Sequence, residues 1–491
     1  MSYARNLIGG SWEEPGSAVI ETVDPATGEK LGKAPKSTAA DMARAVAAAK
    51  EALPGWSSRP APRRAETILR LAQLLEQRKE TIARIVTREM GKVREEALGD
   101  VQEAIDMAYL MAGEGRRLYG VTTPSELPNK LCMTLREPVG VCGLVTPWNF
   151  PVAIPSWKSL PALVAGNTLV LKPSEETPGC ATAFVEALVE AGIPPGVVNL
   201  VHGTGEEAGA ALVAHPDVAA ISFTGSGETG RRIQAIAAPM LKRTHLELGG
   251  KNGVVVLDDA DLDFAVRAIL WSAYGTSGQR CTAASRVIAQ AGIHDKLVER
   301  LAEGAKRLRI GNGWTPGVQV GPLVRPWAVE KVEKYVKIGL DEGAKLVAGG
   351  RRPSDPALKG GFFYEPTVFA GAAPTMRIAQ EEIFGPVTAV IRVRDLDEAI
   401  RVHNGTPFGL SGAIITRDLA SAMKAARAFQ TGIVYVHNGT IGAEVHLPFG
   451  GIKGTGNGHR EAGVTGIDFF TEVKTVYIDY SGALQRAQID R

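Results

Sequence analysis

The run NTLVLKP (167–173), CATAFVEALVEAG (180–192), VVNLVHG (197–203), EEAGAALVAH (206–215), VAAISFTGS (218–226), TGRRIQAIAAPML (229–241) and THLELGG (244–250) decides the fold. Short apolar runs alternate with helical patterns about ten residues long, the signature of βαβ units and a parallel sheet covered on both faces. The alternation resumes beyond Gly249–Gly250 with NGVVVLDD, a helix from Leu262, SRVIAQ and HDKLVERLAEGAKRL. It continues through EIFGPVTAVIRV, DLDEAIRVHN, GLSGAIITR, LASAMKAARAF and TGIVYVH. Upstream, from Thr38 to about Arg117, Ala-rich stretches with apolar residues at helical spacing predict helices. KLCMTLREPVGV (130–141) and the last 25 or so residues read as extended, with alternating Thr, Val and Tyr.

A chain of 491 residues is too long for one ordinary core, so two large domains are expected. With 45% apolar and 22% charged residues and a net charge of +2, it has the balance of a soluble globular protein. The lack of a basic block argues against nucleic acid and anionic membranes as partners. Neither a signal-peptide core nor an uncharged apolar run of spanning length is present. The four cysteines (Cys132, Cys142, Cys180, Cys281) lack the spacing of a metal site or disulfide framework, so no metal and a reduced, cytoplasmic location are the expectation.

Two segments compete as cofactor sites. GSGETG (225–230) fits G-x-G-x-x-G between strand and helix, and Glu247 lies about 20 residues on, where a ribose-binding acid is sought. KPSE (172–175) leaves the carboxyl end of a strand, the edge at which open α/β sheets bind ligands, so Lys172 and Glu175 suit ribose or phosphate equally well. Pattern alone does not choose between Glu175 and Glu247. Among the thiols, Cys132, Cys142 and Cys180 sit in apolar settings typical of packing cysteines. Cys281 sits in a polar Gly-Gln-Arg loop after a helix, where Arg280 would favour the thiolate nucleophile.

TPWNFP (146–151), KPSE (172–175), FTGS (223–226), LELGGK (246–251), GQRCTA (278–283), EEIFGPV (381–387) and PFGG (448–451) together resemble the aldehyde dehydrogenase superfamily, essentially end to end. The resemblance implies an α/β protein with a Rossmann-like cofactor domain (1–120 and 139–249), an α/β catalytic domain (250–450) and a small β oligomerisation arm (121–138 and 465–491). It implies aldehyde oxidation with NAD or NADP. Cys281 becomes the nucleophile, Asn149 the oxyanion donor, and Glu247 the base for thioester hydrolysis. Glu175 then passes to the adenosine ribose beside Lys172 and Ser174. Gly225, Ser226 and Thr229 take the pyrophosphate at a helix N-terminus, and Glu382 and Phe384 the nicotinamide ribose. Thr146, Trp148, Gly205, Gly209 and Leu248 complete the cofactor cleft.

Phe150, Trp157 and Phe449 resemble the family's tunnel walls, with Lys158, Arg280, Arg286 and His446 as nearby cations. The segment AEVHLPFGGIKGTGNGHREAG looks like that of bacterial and archaeal semialdehyde-type members. A short acidic semialdehyde such as 2,5-dioxopentanoate is therefore the expected substrate, with a general aliphatic or aromatic aldehyde the alternative. Exposed arm edges would pair into a homodimer or homotetramer. A cofactor-free cysteine hydrolase would leave most of these motifs idle, and a non-catalytic scaffold has no need of Asn149, Glu247 and Cys281 together.

Overall fold

A computed structural model describes residues 3–490. Five parallel strands form the body of the first sheet, in the order Arg243–Glu247, Ala220–Thr224, Val141–Val145, Thr168–Lys172 and Val198–Leu200. Asn6–Ile8 and Ser11–Glu13 extend it antiparallel at one edge, an addition that the strand–helix alternation does not signal. Thr168–Lys172 is buried at every position, as a strand covered on both faces must be. One cover is the helix Ala39–Ser57, which buries Met42, Ala45, Val46 and Ala49 at three- and four-residue spacing and opens on a capping box between Thr38 and Asp41. The helices Ala61–Met90, Arg94–Glu114, Ala153–Ala165 and Pro178–Glu190 contribute to a large apolar core on the same unit.

The second sheet runs Lys345–Ala348, Thr367–Ala370, Val387–Val393, Ala284–Gln290, Asn252–Val256, Ser411–Ile415 and Ile433–Val436, parallel except for its first strand. Thr471–Asp479, Lys130–Pro138 and Thr122–Pro124 make a separate antiparallel sheet. Before reaching it, the chain after the second sheet folds back over the first. Phe449 bridges Glu461, and Gly456 bridges Glu247, so this returning segment closes over the carboxyl end of the strand Arg243–Glu247. Among the described residues no helix is long and apolar enough to cross a membrane.

Candidate active site

Cys281 follows a turn, Gly275–Gly278, whose Thr276 and Ser277 adopt left-handed φ values of 53° and 55°. Such backbone costs about 1–3 kcal/mol per residue and persists only where the surroundings over-determine it. Here both oxygens of the buried Glu96 carboxylate accept from Thr276 N–H at 2.9 Å, and Ser277 Oγ donates to Gly321 O at 2.7 Å. Gly278 has φ +69°, and a Cβ there would meet Gly385 C at 2.5 Å. The next residue is pinned as well: Gln279 Oε1 accepts from Val324 N–H at 2.9 Å, and its carbonyl accepts from Asn149 Nδ2 at 3.1 Å. Asn252 Nδ2 donates to Cys281 O at 2.7 Å. The thiol is therefore delivered on a rigid loop.

Burial pushes the Cys281 thiol up to about 12, with Glu382 and Glu247 adding to the shift. Arg280 opposes it in the direction expected from sequence, but as the smallest of these influences. Its guanidinium is engaged elsewhere, by Thr276 Oγ1 at 2.9 Å and Glu96 at 3.3 Å.

Beyond the thiol, a cavity of about 80 Å3 is lined by Phe150, Trp157, Phe449, Glu247, Arg280 and Cys281, with Glu103 and Glu461 also on its wall. Trp157 and Phe449 meet edge to face at 5.3 Å, and the indole N–H of Trp157 has no partner. Glu247 ends its strand fully buried; Oε1 lies 3.0 Å from His245 Nε2, whereas Oε2 has no partner. Burial first, then Glu461, raise this carboxyl well above the usual range, against the opposing pull of Lys158 and Arg460. Lys158 and Glu461 form a buried ion pair, and Lys158 also donates to Ser222 Oγ at 2.9 Å.

A second cavity, of about 210 Å3, opens on the other side of Cys281 and shares Thr224, Leu248 and Cys281 with the first. Trp148, Asn149, Gly225, Ser226, Glu382 and Phe384 line it, together with Trp327 and Lys331. Glu382 Oε1 accepts from Gly250 N–H at 2.9 Å. Trp148 packs edge-on against Phe384 at 5.5 Å and Trp327 at 6.2 Å. Ser226 caps the helix Gly227–Ala237 by accepting from Thr229 N–H at 3.2 Å, so the helix N-terminus faces the cleft.

At the carboxyl end of Thr168–Lys172, Lys172 pairs with Glu175 at 3.1 Å, and Ser174 Oγ accepts from Glu176 N–H at 3.3 Å. Gly205 and Gly209 bound a π-helical turn, and a Cβ on Gly209 would touch the Lys172 side chain. The buried hydroxyls of Thr146 and Thr224 lack partners. A cavity with a helix N-terminus, the acid Glu382 and the orphan Thr224 hydroxyl, at the carboxyl ends of parallel strands, fits part of a dinucleotide.

Three cations read as pocket residues are placed otherwise. His446 is exposed and lies 3.6 Å from Glu444, because the chain turns outward after Gly442 and Ala443 have lined the cavity. Arg286 is buried, donating to the carbonyls of Lys251, Val402 and His403. The charge of Lys158 is committed to Glu461. Conversely, Glu103, Glu461, Trp327 and Lys331 line the two cavities without having been singled out by pattern. Glu461 alone carried a signal, as the acid in the segment GNGHREAG.

The description "Aldehyde dehydrogenase family" matches residues 12–476. The alpha-ketoglutaric semialdehyde dehydrogenase of Bacillus subtilis is 40% identical over 96% of this chain and 97% of its own. An NADP(+) succinate-semialdehyde dehydrogenase of Escherichia coli is 38% identical over 96% and 97%. The crystal structure of betaine aldehyde dehydrogenase from Staphylococcus aureus in complex with NAD+ superposes with a TM-score of 0.96, at 34% identity, over 98% of this chain and 96% of that one. The chain belongs to the aldehyde dehydrogenase family.

Proposed function

We propose that this enzyme oxidises a short acidic semialdehyde, of the 2,5-dioxopentanoate kind, to the carboxylic acid with NAD(P), through a thioester on Cys281. One observation carries the mechanism: Cys281 stands where the Glu247 cavity meets the cleft of Asn149, Glu382 and Phe384. Cys281 gives up its thiol proton to solvent, and the sulfur attacks the aldehyde carbon to form an S–C bond and an oxyanion. The Asn149 side-chain amide and the Cys281 backbone N–H are the donors that hold it. The bound nicotinamide supplies the hydride acceptor. The thioester left on Cys281 is cleaved by water whose proton passes to Glu247 and from there to the departing sulfur, giving the acid and restoring both the thiol and the Glu247 carboxylate. Glu382 and Phe384 orient the nicotinamide ribose, Ser226 and its helix the pyrophosphate, and Glu175 the adenosine ribose. Because the charge of Lys172 is committed to Glu175, a 2′-phosphate meets little free positive charge, which favours NAD.

Support for an acidic substrate comes from the relatives described as semialdehyde dehydrogenases and from the unpartnered Trp157 N–H, a donor for a distal carboxylate in the pocket. Glu103 favours a second reading. It faces the same pocket, with burial and then Asp100 raising it to about 7, and when ionised it suits an ammonium-ended aldehyde better. Initial rates with an acidic semialdehyde, an ammonium-ended aldehyde and a plain aliphatic aldehyde, each with NAD and with NADP, separate the readings. A higher kcat/KM for the ammonium-ended or the plain aldehyde than for the acidic one overturns the acidic assignment. The free edge of Thr471–Asp479, with Val473, Tyr477 and Ile478 exposed, supports assembly of a homodimer or homotetramer through the arm.

A further inference from the structure

His245 and Glu247 alternate on one strand, so both side chains fall on the same face. The parallel register sets Ser222 beside His245 and Thr224 beside Glu247. Most of the elements around the His245 ring present a polar or charged group to it. Its own strand gives Glu247, at 3.0 Å from Nε2, and the neighbouring strand gives Ser222, whose Oγ is 3.5 Å from Nδ1. The helix Ala153–Ala165 contributes Lys158, and the returning segment His459, Arg460 and Glu461, the last at 3.9 Å from Nδ1. Phe469 closes the ring's apolar side at 5.3 Å.

This surround accommodates an Nε2–H tautomer. Lys158 donates to Ser222 Oγ, which leaves the Ser222 hydroxyl proton free to point at Nδ1. Nδ1 then accepts, and Nε2 carries the proton and faces Glu247. Burial, with Lys158, His459 and Arg460 alongside, keeps the ring neutral. The two carboxylate oxygens are thereby made unequal. Oε1 is occupied, and is confined further by Gly450, where a Cβ would lie 2.7 Å away. Oε2 is left without a partner, on a residue that lines the cavity beside Cys281.

We propose that His245 is a positioning residue for Glu247, holding Oε1 through Nε2–H so that Oε2 receives the proton of the water that cleaves the Cys281 thioester. The inference rests on Glu247 being the base. Donation to the carboxylate also favours its ionised form, offsetting part of the cost of burial and the repulsion from Glu461.

The test compares H245N, whose short amide retains the Ser222 side but cannot reach Glu247, with H245Q, whose Nε2 spans the distance. Two steps are measured: single-turnover formation of reduced nicotinamide, and decay of the thioester. In H245N, thioester decay slows about tenfold, the worth of one hydrogen bond to a carboxylate, while nicotinamide reduction is unchanged within about twofold. Its acid limb for thioester decay moves to higher pH, and H245Q restores both properties. Equal impairment of the two variants, or equal slowing of both steps, would mean a structural role and overturn the proposal. E247Q separates the layers. If E247Q accumulates thioester while H245N decays like the parent, only the His245 assignment fails; if E247Q turns over normally, the base assignment fails with it. A measurement needing no variant is the nitrogen NMR of the histidine-labelled enzyme: an Nε2–H tautomer at His245 is expected, and an Nδ1–H tautomer overturns the proposal.

Discussion

Replacing Gly249 by alanine separates the cofactor cleft from the stability of the fold. A Cβ at this position would press on Glu382 Oε2, 2.7 Å from Cδ and 2.9 Å from Oε1. The backbone of Gly249 is not left-handed, so alanine suits the main chain and reduces unfolded-state entropy by about 0.4–1 kcal/mol. The clash is with the end of a flexible side chain, which relieves it by swinging away. That movement breaks the 2.9 Å bond from Gly250 N–H, a loss offset in part by the alanine, and takes the carboxylate away from the ribose hydroxyls, an interaction with a charged group worth about 1.5–3 kcal/mol to binding. At about 1.4 kcal/mol per decade, displacing Glu382 from the ribose site weakens cofactor binding roughly 10- to 100-fold. The assay is a fluorescence titration with NAD and NADP alongside thermal unfolding. Weakened binding with a Tm near that of the parent is expected. Parent-like affinity in a folded G249A enzyme would refute the placement of Glu382 on the cofactor.

Three further outcomes follow from the same geometry. N149A lowers kcat/KM about 10²- to 10³-fold, the usual loss for one oxyanion donor, and steady-state kinetics with an unchanged circular-dichroism spectrum checks it. Because Glu247 acts ionised while burial and Glu461 hold its proton on, thioester decay falls as pH is lowered, with a midpoint above the usual carboxylate range; stopped-flow decay rates against pH test this, and Lys158→Met moves the midpoint higher. D100A leaves the buried Lys92 ammonium unpaired and removes the acceptor for Ala153 N–H, so denaturant unfolding should show a loss of about 3–5 kcal/mol.

Much of the fold is legible because its strands are buried on both faces, and fully apolar runs such as LVL and VVV leave little room for another reading. The edge additions are less visible. NLI and SWE, three residues each, are too short for any period to show. Cys281 and Glu247 stand in local motifs, so sequence marks them. What it does not mark is pairing across distance: Lys158 and Glu461 are 303 residues apart, and nothing local to Lys158 announces a buried partner. Glu103 looks like the solvated face of the helix Arg94–Glu114 until the TPWNFP loop and Arg280 close over it. Trp327 and Lys331 reach the cleft only because the helix Pro326–Asp341 leans on a loop from another part of the chain. The pocket cations failed for the reverse reason. A charge near a motif is not free if a carbonyl cage holds it, as for Arg286, or a carboxylate does, as for Lys158.

The central claim is that Cys281 carries the acyl group and Glu247 removes it. Intact-protein and peptide mass spectrometry of E247Q, quenched after mixing with aldehyde and NAD, addresses it directly. The account predicts an adduct heavier than the free enzyme by the aldehyde less two hydrogens, confined to the peptide containing Cys281 and absent from C281A. Reduced nicotinamide formed with no adduct at Cys281, or formed by C281A at the parent rate, would contradict it.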